Sequence, residues 1–431
     1  MTVFESYRRC LTWSAIPLLA LFVLLAGCED GELLPPEPEG GDLFARYVAI
    51  GNSITAGFQS SGINANTQRD AYPVLLAQQM GLNVGDTFNI PTLNPPGCPP
   101  PLTQLFPEPD TLGGPNAPDC ALRATPTPTT INNVAVPGAE VIDAFSNTDS
   151  ASNANALTTF ILGGRTQVEA AEQVDPTFAS VWLGNNDVLS AALSGAVVEG
   201  ATYTAPSTFA NRYQQTIDQL AATDVEGGVL VGITNVTRLP YLSPGVAFFQ
   251  ADQQGTLPPT FDVANTCAPA SAGGVGESTL IPFRYSFGFL LPLAQSGTSV
   301  TLDCTDNRSL AEIYGPSNVP DAIESYSILT EQEIGTLSAT VQAYNSTIES
   351  EANDRGWAYV DPNALFTQPD IAAQIPPFPD TDPTNEVPPF GPFFSLDGVH
   401  PSSAAHRLVA NQIIAAINDT YGTQVPELST P

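Results

Sequence analysis

Five short apolar runs constrain the fold of this chain more than any other feature: YVAIG at 47–51, NNVAV at 132–136, FASVWLG at 178–184, GGVLVGIT at 227–234 and WAYVDP at 357–362. Each is rich in β-branched or aromatic residues and bounded by turn formers, the pattern of a strand buried on both faces. Helical spacing fills gaps between them. Phe209, Tyr213, Ile217 and Leu220 precede the fourth run, and Ile334, Leu337, Val341, Tyr344 and Ile348 precede the fifth, where Thr330 and Glu333 match a capping box. A last helix is expected after Pro401, with Leu408, Val409, Ile413 and Ile417 on its inner face. Strands alternating with helices imply a parallel sheet covered on both sides. The expected fold is α/β, a three-layer α/β/α sandwich on a five-stranded parallel sheet.

Two stretches break the alternation. Residues 88–130 are crowded with proline, and 238–325 carry the aromatic segment IPFRYSFGFLLPL at 281–293. Long insertions of this kind in a compact domain are functional or disordered. The expected organisation is one domain over 43–422 with these two insertions, then a tail at 423–431. No internal repeat, phosphate loop or zinc-protease motif occurs. The acidic run DTDPTNE at 380–386 lacks the glycine of a calcium loop and reads as solvated, so no metal or cofactor is expected.

The start of the chain carries a location signal. Arg8 and Arg9 precede an apolar run from Leu11 to Ala26, short for a membrane span and ending in small residues, as secretory signals do. Its end, LAGC, resembles the lipobox of bacterial lipoproteins, which implies cleavage after residue 27 and a lipid on Cys28; an uncleaved anchor helix is the alternative. Residues 28–42, acidic and rich in proline and glycine, read as a flexible tether. Either way the remainder is expected in the bacterial cell envelope, tethered to a membrane and facing the periplasm or the exterior.

The formal charge of −32 disfavours nucleic-acid and anionic membrane surfaces as partners. All twelve basic residues are arginine, and acid excess without lysine resembles proteins of salt-rich habitats, where screening weakens self-repulsion. Of six cysteines, Cys98, Cys120, Cys267 and Cys304 lie beyond Cys28, an even set suited to disulfides outside the cytoplasm. Three pairings are possible. Cys98 with Cys120 and Cys267 with Cys304 are favoured, each closing a loop within one insertion, over a metal site that lacks close C-x-x-C spacing.

The first apolar run leads directly to Ser53, in RYVAIGNSITAGFQS. A serine beside glycine is ordinarily a turn residue. As a nucleophile it would need a base and a group to orient that base. The chain has two histidines. His406 falls within the expected last helix, whereas His400, in FSLDGVHPSS, follows Asp397 by three residues on one tight loop. Acyl transfer also requires donors aimed at the developing oxyanion. AVPGAEV places Gly138 just after the second run, and WLGNNDVL places Asn186 just after the third. Strand ends of open α/β sheets are where such sites assemble.

The set GNSIT, VPGA, GNND and DGVHPS, in this order, resembles the SGNH (GDSL-type) hydrolase family from about residue 46 to 420. The resemblance implies Ser53 as nucleophile, His400 as general base and acid, Asp397 as its orienting carboxylate, and an oxyanion site made by the Ser53 N–H, the Gly138 N–H and the Asn186 side chain. No G-x-S-x-G elbow surrounds Ser53. One departure is Asn52, where the family usually has aspartate. The expected activity is hydrolysis of an acyl ester, lipid or acylated carbohydrate, by a lipid-anchored esterase or lipase. The alternatives are a deacetylase of surface polysaccharide and a non-catalytic binding lipoprotein on the same fold. Segment 281–293, with Phe390, Phe393 and Phe394, either packs a small core of its own or lines an acyl groove.

Overall fold

The computed structural model describes residues 41–121, 123–223, 225–382 and 387–429. The expected signal segment, the lipidation site Cys28 and all of the tether but its last two residues lie outside the described residues, as do 383–386 of the acidic run.

Strands β1 (Tyr47–Gly51), β2 (Phe178–Trp182), β3 (Gly227–Val231) and β4 (Ala358–Val360) form one sheet in the order β1-β2-β3-β4, with every neighbouring pair parallel. The helices that matter for the site are α1 (Ser53–Ala56), α2 (Tyr72–Gln79), α3 (Asn186–Ser194), α4 (Pro206–Ala221), α5 (Glu331–Arg355) and α6 (Ser403–Tyr421). Alternate strand residues point to opposite faces. Val48, Ile50, Val181 and Leu230 pack with side chains of α4 and α5, whereas Tyr47, Trp182, Val229 and Val360 pack with side chains of α2 and α6. Burial on both faces explains why the strand sequences are continuously apolar. Each fully buried large side chain contributes about 1.5–3 kcal/mol.

The helices begin where the sequence signals them. Thr330 and Glu333 close the capping box at the head of α5, and the four apolar residues from Phe209 to Leu220 all lie on the buried face of α4. On α6, Val409, Ile413 and Ile417 are buried and Leu408 is half-buried.

The second run differs from expectation. Segment 132–136 runs beside β1, with Ala49 donating to the Asn132 carbonyl, Val134 to Ala49 and Val136 to Gly51 at 2.8, 2.9 and 3.2 Å. It is an irregular edge, so the sheet has four regular strands instead of five. Its asparagines divert the ladder: Asn132 Nδ2 donates to the Tyr47 carbonyl and Asn133 Nδ2 to the Thr55 carbonyl, while Asn133 Oδ1 accepts from Ala135. Such side-chain bonds compete with strand pairing, and Pro137 has no N–H with which to continue it.

The two insertions are built differently. Residues 88–130 form a proline-rich coil with one short hairpin, Leu102–Gln104 against Asp110–Thr111, and a Cys98–Cys120 disulfide. Residues 238–325 carry a Cys267–Cys304 disulfide and a core of their own, in which Ile281, Tyr285, Phe287, Phe289 and Leu290 are buried. Segment 281–293 thus mostly packs inward. Phe283 and Phe287 also reach outward: their rings contact Phe106 of the first insertion at 6.1 and 5.9 Å between centroids, and Phe283 contacts Phe390 of the loop before Asp397 at 5.6 Å.

Candidate active site

Gly51 ends β1, and the chain turns at once into α1. Asn52 makes that turn: its Oδ1 accepts from the Ile54 N–H at 3.1 Å and its Nδ2 donates to Asn185 Oδ1 at 3.2 Å. The cap leaves Ser53 as the first residue of α1, and Gly57, at φ 87°, closes the turn where a Cβ would meet the Thr67 carbonyl. Asn52 is fully buried. An aspartate there would offer two acceptors and no donor, and Asn185 would have to reverse its amide. The departure from the family is therefore matched by a partner one residue before Asn186.

Ser53 Oγ lies 2.9 Å from His400 Nε2, and His400 Nδ1 lies 2.8 Å from Asp397 Oδ2. Burial by itself raises a carboxyl pKa, but here the His400 charge and ring hydrogen bond, with the N–H groups of His400 and Ser61, outweigh it. They hold Asp397 well below the usual carboxylate range. An ionised Asp397 has no proton to give, so Nδ1–H of His400 donates to it and Nε2 is left to accept from the serine hydroxyl. Phe58 packs against the imidazole at 4.9 Å between ring centroids. His406 is different in kind: it is buried on α6, accepts from the Tyr72 N–H through Nδ1, and is pushed down to about 3 by burial. It remains neutral and braces α6 against α2.

Gly138 follows the irregular edge at φ 85°, a conformation that favours glycine. The Val136–Gly51 hydrogen bond holds this segment beside the Ser53 turn. Asn186, the first residue of α3, donates from Nδ2 to the carbonyl of Ala139 at 2.8 Å, which fixes the side chain next to Gly138 and leaves its second amide hydrogen free. Ser53, Asn186 and His400 line one pocket, and Gly138 and Asn186 line the next. The structure thus joins Ser53, His400 and Asp397 by hydrogen bonds and sets Asn186 beside Ser53, with Gly138 lining the adjoining space.

Several supporting residues carry no sequence signal of their role. Ser395 Oγ donates to Asp397 Oδ1 at 3.0 Å and accepts from the Ser60 N–H at 2.8 Å, while the Ser61 N–H donates to Asp397 Oδ2 at 2.7 Å. Ser60 and Ser61 sit at φ 54° and 60°, a costly conformation for serine that aims both N–H groups at the acid loop. A Gln-Ser-Ser-Gly string announces a turn, but not its target. Asp187 is the other omission. It is buried behind Asn186, accepts from the Val141 N–H, and is pushed up to about 7 by burial. Nearby Glu140 is pushed up to about 8 by burial and by the charges of Asp187 and Asp143.

Two spaces open at His400, and a third adjoins them across Leu189. An apolar slot runs from Ser53 and His400 between Trp182, Leu239, Phe366 and Phe394, with about 50 Å³ open to the centre of a water molecule. A cleft along His400 and Asp397 is walled by Leu102 and Leu105 of the first insertion and by Tyr241, Phe283 and Arg284 of the second. A larger polar chamber opens on the far side of Gly138 and Asn186. Phe393 and Phe394 line the slot, whereas Phe390 is buried beneath the loop.

Among solved structures, the chain is similar to a variant of an acetyl-xylooligosaccharide esterase from Geobacillus (12% identity, TM-score 0.36, covering 87% of this chain and 93% of that one). It is also similar to an α/β hydrolase from the metagenome of Lake Arreo, Spain (14%, 0.36, 87% and 97%) and to an extracellular lipase from Streptomyces rimosus (12%, 0.33, 87% and 98%). No curated protein matches the sequence. The model of the GDSL-like lipase/acylhydrolase family matches residues 47–413. This span runs from the first residue of β1 through the Ser53 turn and the Asp397–His400 loop into α6, and the chain belongs to that family of carboxylic ester hydrolases.

Proposed function

We propose that the protein is a serine esterase working through an acyl-enzyme, anchored outside the cytoplasm by a lipid on Cys28. The unbroken hydrogen-bond chain from Ser53 Oγ through His400 to Asp397 supports the mechanism. Ser53 Oγ attacks the ester carbonyl as its proton passes to His400 Nε2. The oxyanion that forms is held by the N–H groups of Ser53 and Gly138 and by Asn186 Nδ2. His400 returns the proton to the leaving alcohol, and the acyl group stays on Ser53. Water then repeats the sequence with His400 as base, freeing the acid. The LAGC sequence before the tether supports the anchor, and the lysine-free acidic composition supports operation at elevated salt.

The slot suits the acyl half of the substrate. Its small bore, with about 50 Å³ open to the centre of a water molecule, favours short acyl chains over long ones. Removal of acetyl groups from carbohydrate is the second reading, favoured by the polar chamber beyond Asn186.

The test is a panel of p-nitrophenyl esters from acetate to laurate, run at several salt concentrations with purified protein and its Ser53→Ala variant. Activity is expected to peak at short chains and to rise with salt, and Ser53→Ala lowers kcat by about 10⁶. Equal turnover in the two proteins removes Ser53 from the mechanism.

A further inference from the structure

We infer that the polar chamber behind Gly138 and Asn186 is the subsite for the alcohol half of the ester, and that this half is polyhydroxylated, a glycosyl unit or a comparable polyol. The inference rests on the esterase proposal, whose substrate it specifies. The chamber holds about 830 Å³, within the range of about 300–1,000 Å³ typical of ligand sites.

Its position follows from the route an alcohol must take. The leaving oxygen has to come within hydrogen-bond reach of His400 Nε2 to receive its proton. Leu189, Leu193 and Tyr326 line both the cleft at His400 and the chamber. A substituent on that oxygen therefore runs over this floor into the chamber, while the acyl chain points the other way into the slot.

The walls select the ligand chemistry. Asp187 is 1% exposed, lines the chamber, and has an Oδ1 without a hydrogen-bond partner. A buried acceptor left unpaired costs free energy that a ligand hydroxyl relieves. Glu140, with its raised pKa, keeps a proton near neutral pH and so donates as well as accepts. Arg212 adds guanidinium donors, and Tyr203 and Tyr326 add rings with polar tips. Hydroxyl groups are donors and acceptors at once, and such a mixed lining satisfies both capacities. An anion would meet the Glu199 carboxylate and the unpaired acceptor of Asp187. A cation would meet Arg212, and among the described residues no group of three His, Cys, Asp or Glu side chains could hold a metal ion.

The test compares the full chain with Tyr203→Ala and Arg212→Gln, both partly exposed positions, on p-nitrophenyl acetate, acetylated xylotriose and acetylcholine. Losing one ligand contact is expected to lower kcat/KM for acetylated xylotriose by about tenfold more than for p-nitrophenyl acetate, mainly through KM. Unacetylated xylotriose should inhibit the wild type competitively and each variant more weakly. Equal losses on the two acetates, or no inhibition by xylotriose, overturn the subsite. A selective loss on acetylcholine alone overturns the polyol in favour of a cation. Failure of the wild type on every ester, or full activity in Ser53→Ala, overturns the esterase proposal itself and is distinguishable from these outcomes.

Discussion

Two buried aspartates flank this cleft and behave oppositely. Asp397, on the acid loop, takes hydrogen bonds from Ser395 Oγ, from the N–H groups of Ser61, Val399 and His400, and from the His400 ring. Asp187, behind the oxyanion wall, takes one from the Val141 N–H on Oδ2 and none on Oδ1. The first is held ionised and the second is pushed up to about 7. Burial is common to both, so the His400 charge and the donors around Asp397 decide which of the two is ionised. The acid loop is organised around a fixed anion, and the oxyanion side leaves acceptor capacity open for what enters it.

Removing the charge from the first region should have the largest effect. Asp397→Asn keeps the shape but stabilises the wrong imidazole tautomer, and kcat should fall by about 10⁴; a loss below tenfold would mean that the anion is not what orients His400. Asp187→Asn acts on stability instead. Because the folded protein holds this proton more tightly than the unfolded chain, the contribution of Asp187 is complete below about pH 4 and is lost as pH rises to about 7. By the raised value of about 7, that loss is about 4 kcal/mol at most. Urea midpoints at pH 5 and pH 8 should therefore lie closer together in Asp187→Asn than in the wild type.

A smaller change moves one aspartate toward the condition of the other. Ser395→Ala removes one donor from Asp397 and strands the Ser60 N–H, which should cost about 1.5–3 kcal/mol and shift the acid limb of the rate profile upward in pH. The smallest effect belongs to Asn52→Asp. Asn185 can turn its amide to donate, so turnover should persist with a modest fall in melting temperature. Loss of turnover would show that the Asn52–Asn185 pair positions Asn186.

What the sequence reveals depends on how local each interaction is. The strands are legible because both faces are buried and their composition shows it, and α5 because Thr330 and Glu333 lie three residues apart. Asp397 and His400 are legible for the same reason. Segment 132–136 misleads because its composition is strand-like, while two asparagine side chains decide its pairing. Ser60 and Ser61 are silent because their partners lie more than 330 residues away, and Ser395 because nothing near Asp397 shows that its hydroxyl also accepts from Ser60. Asp187 is silent because nothing in Asn-Asn-Asp indicates which carboxylate oxygen goes without a donor.

The distance between the two ends of the site has a consequence for biosynthesis. Ser53 meets His400 across 347 residues, Ser61 meets Asp397 across 336 and Ser60 meets Ser395 across 335. The first and last motifs of the domain clasp each other, so under the proposed mechanism a growing chain that has already folded its sheet still has a nucleophile and no base. Hydrolytic activity begins only when the final loop closes, and a message truncated upstream of residue 400 yields an inert protein instead of an unregulated one.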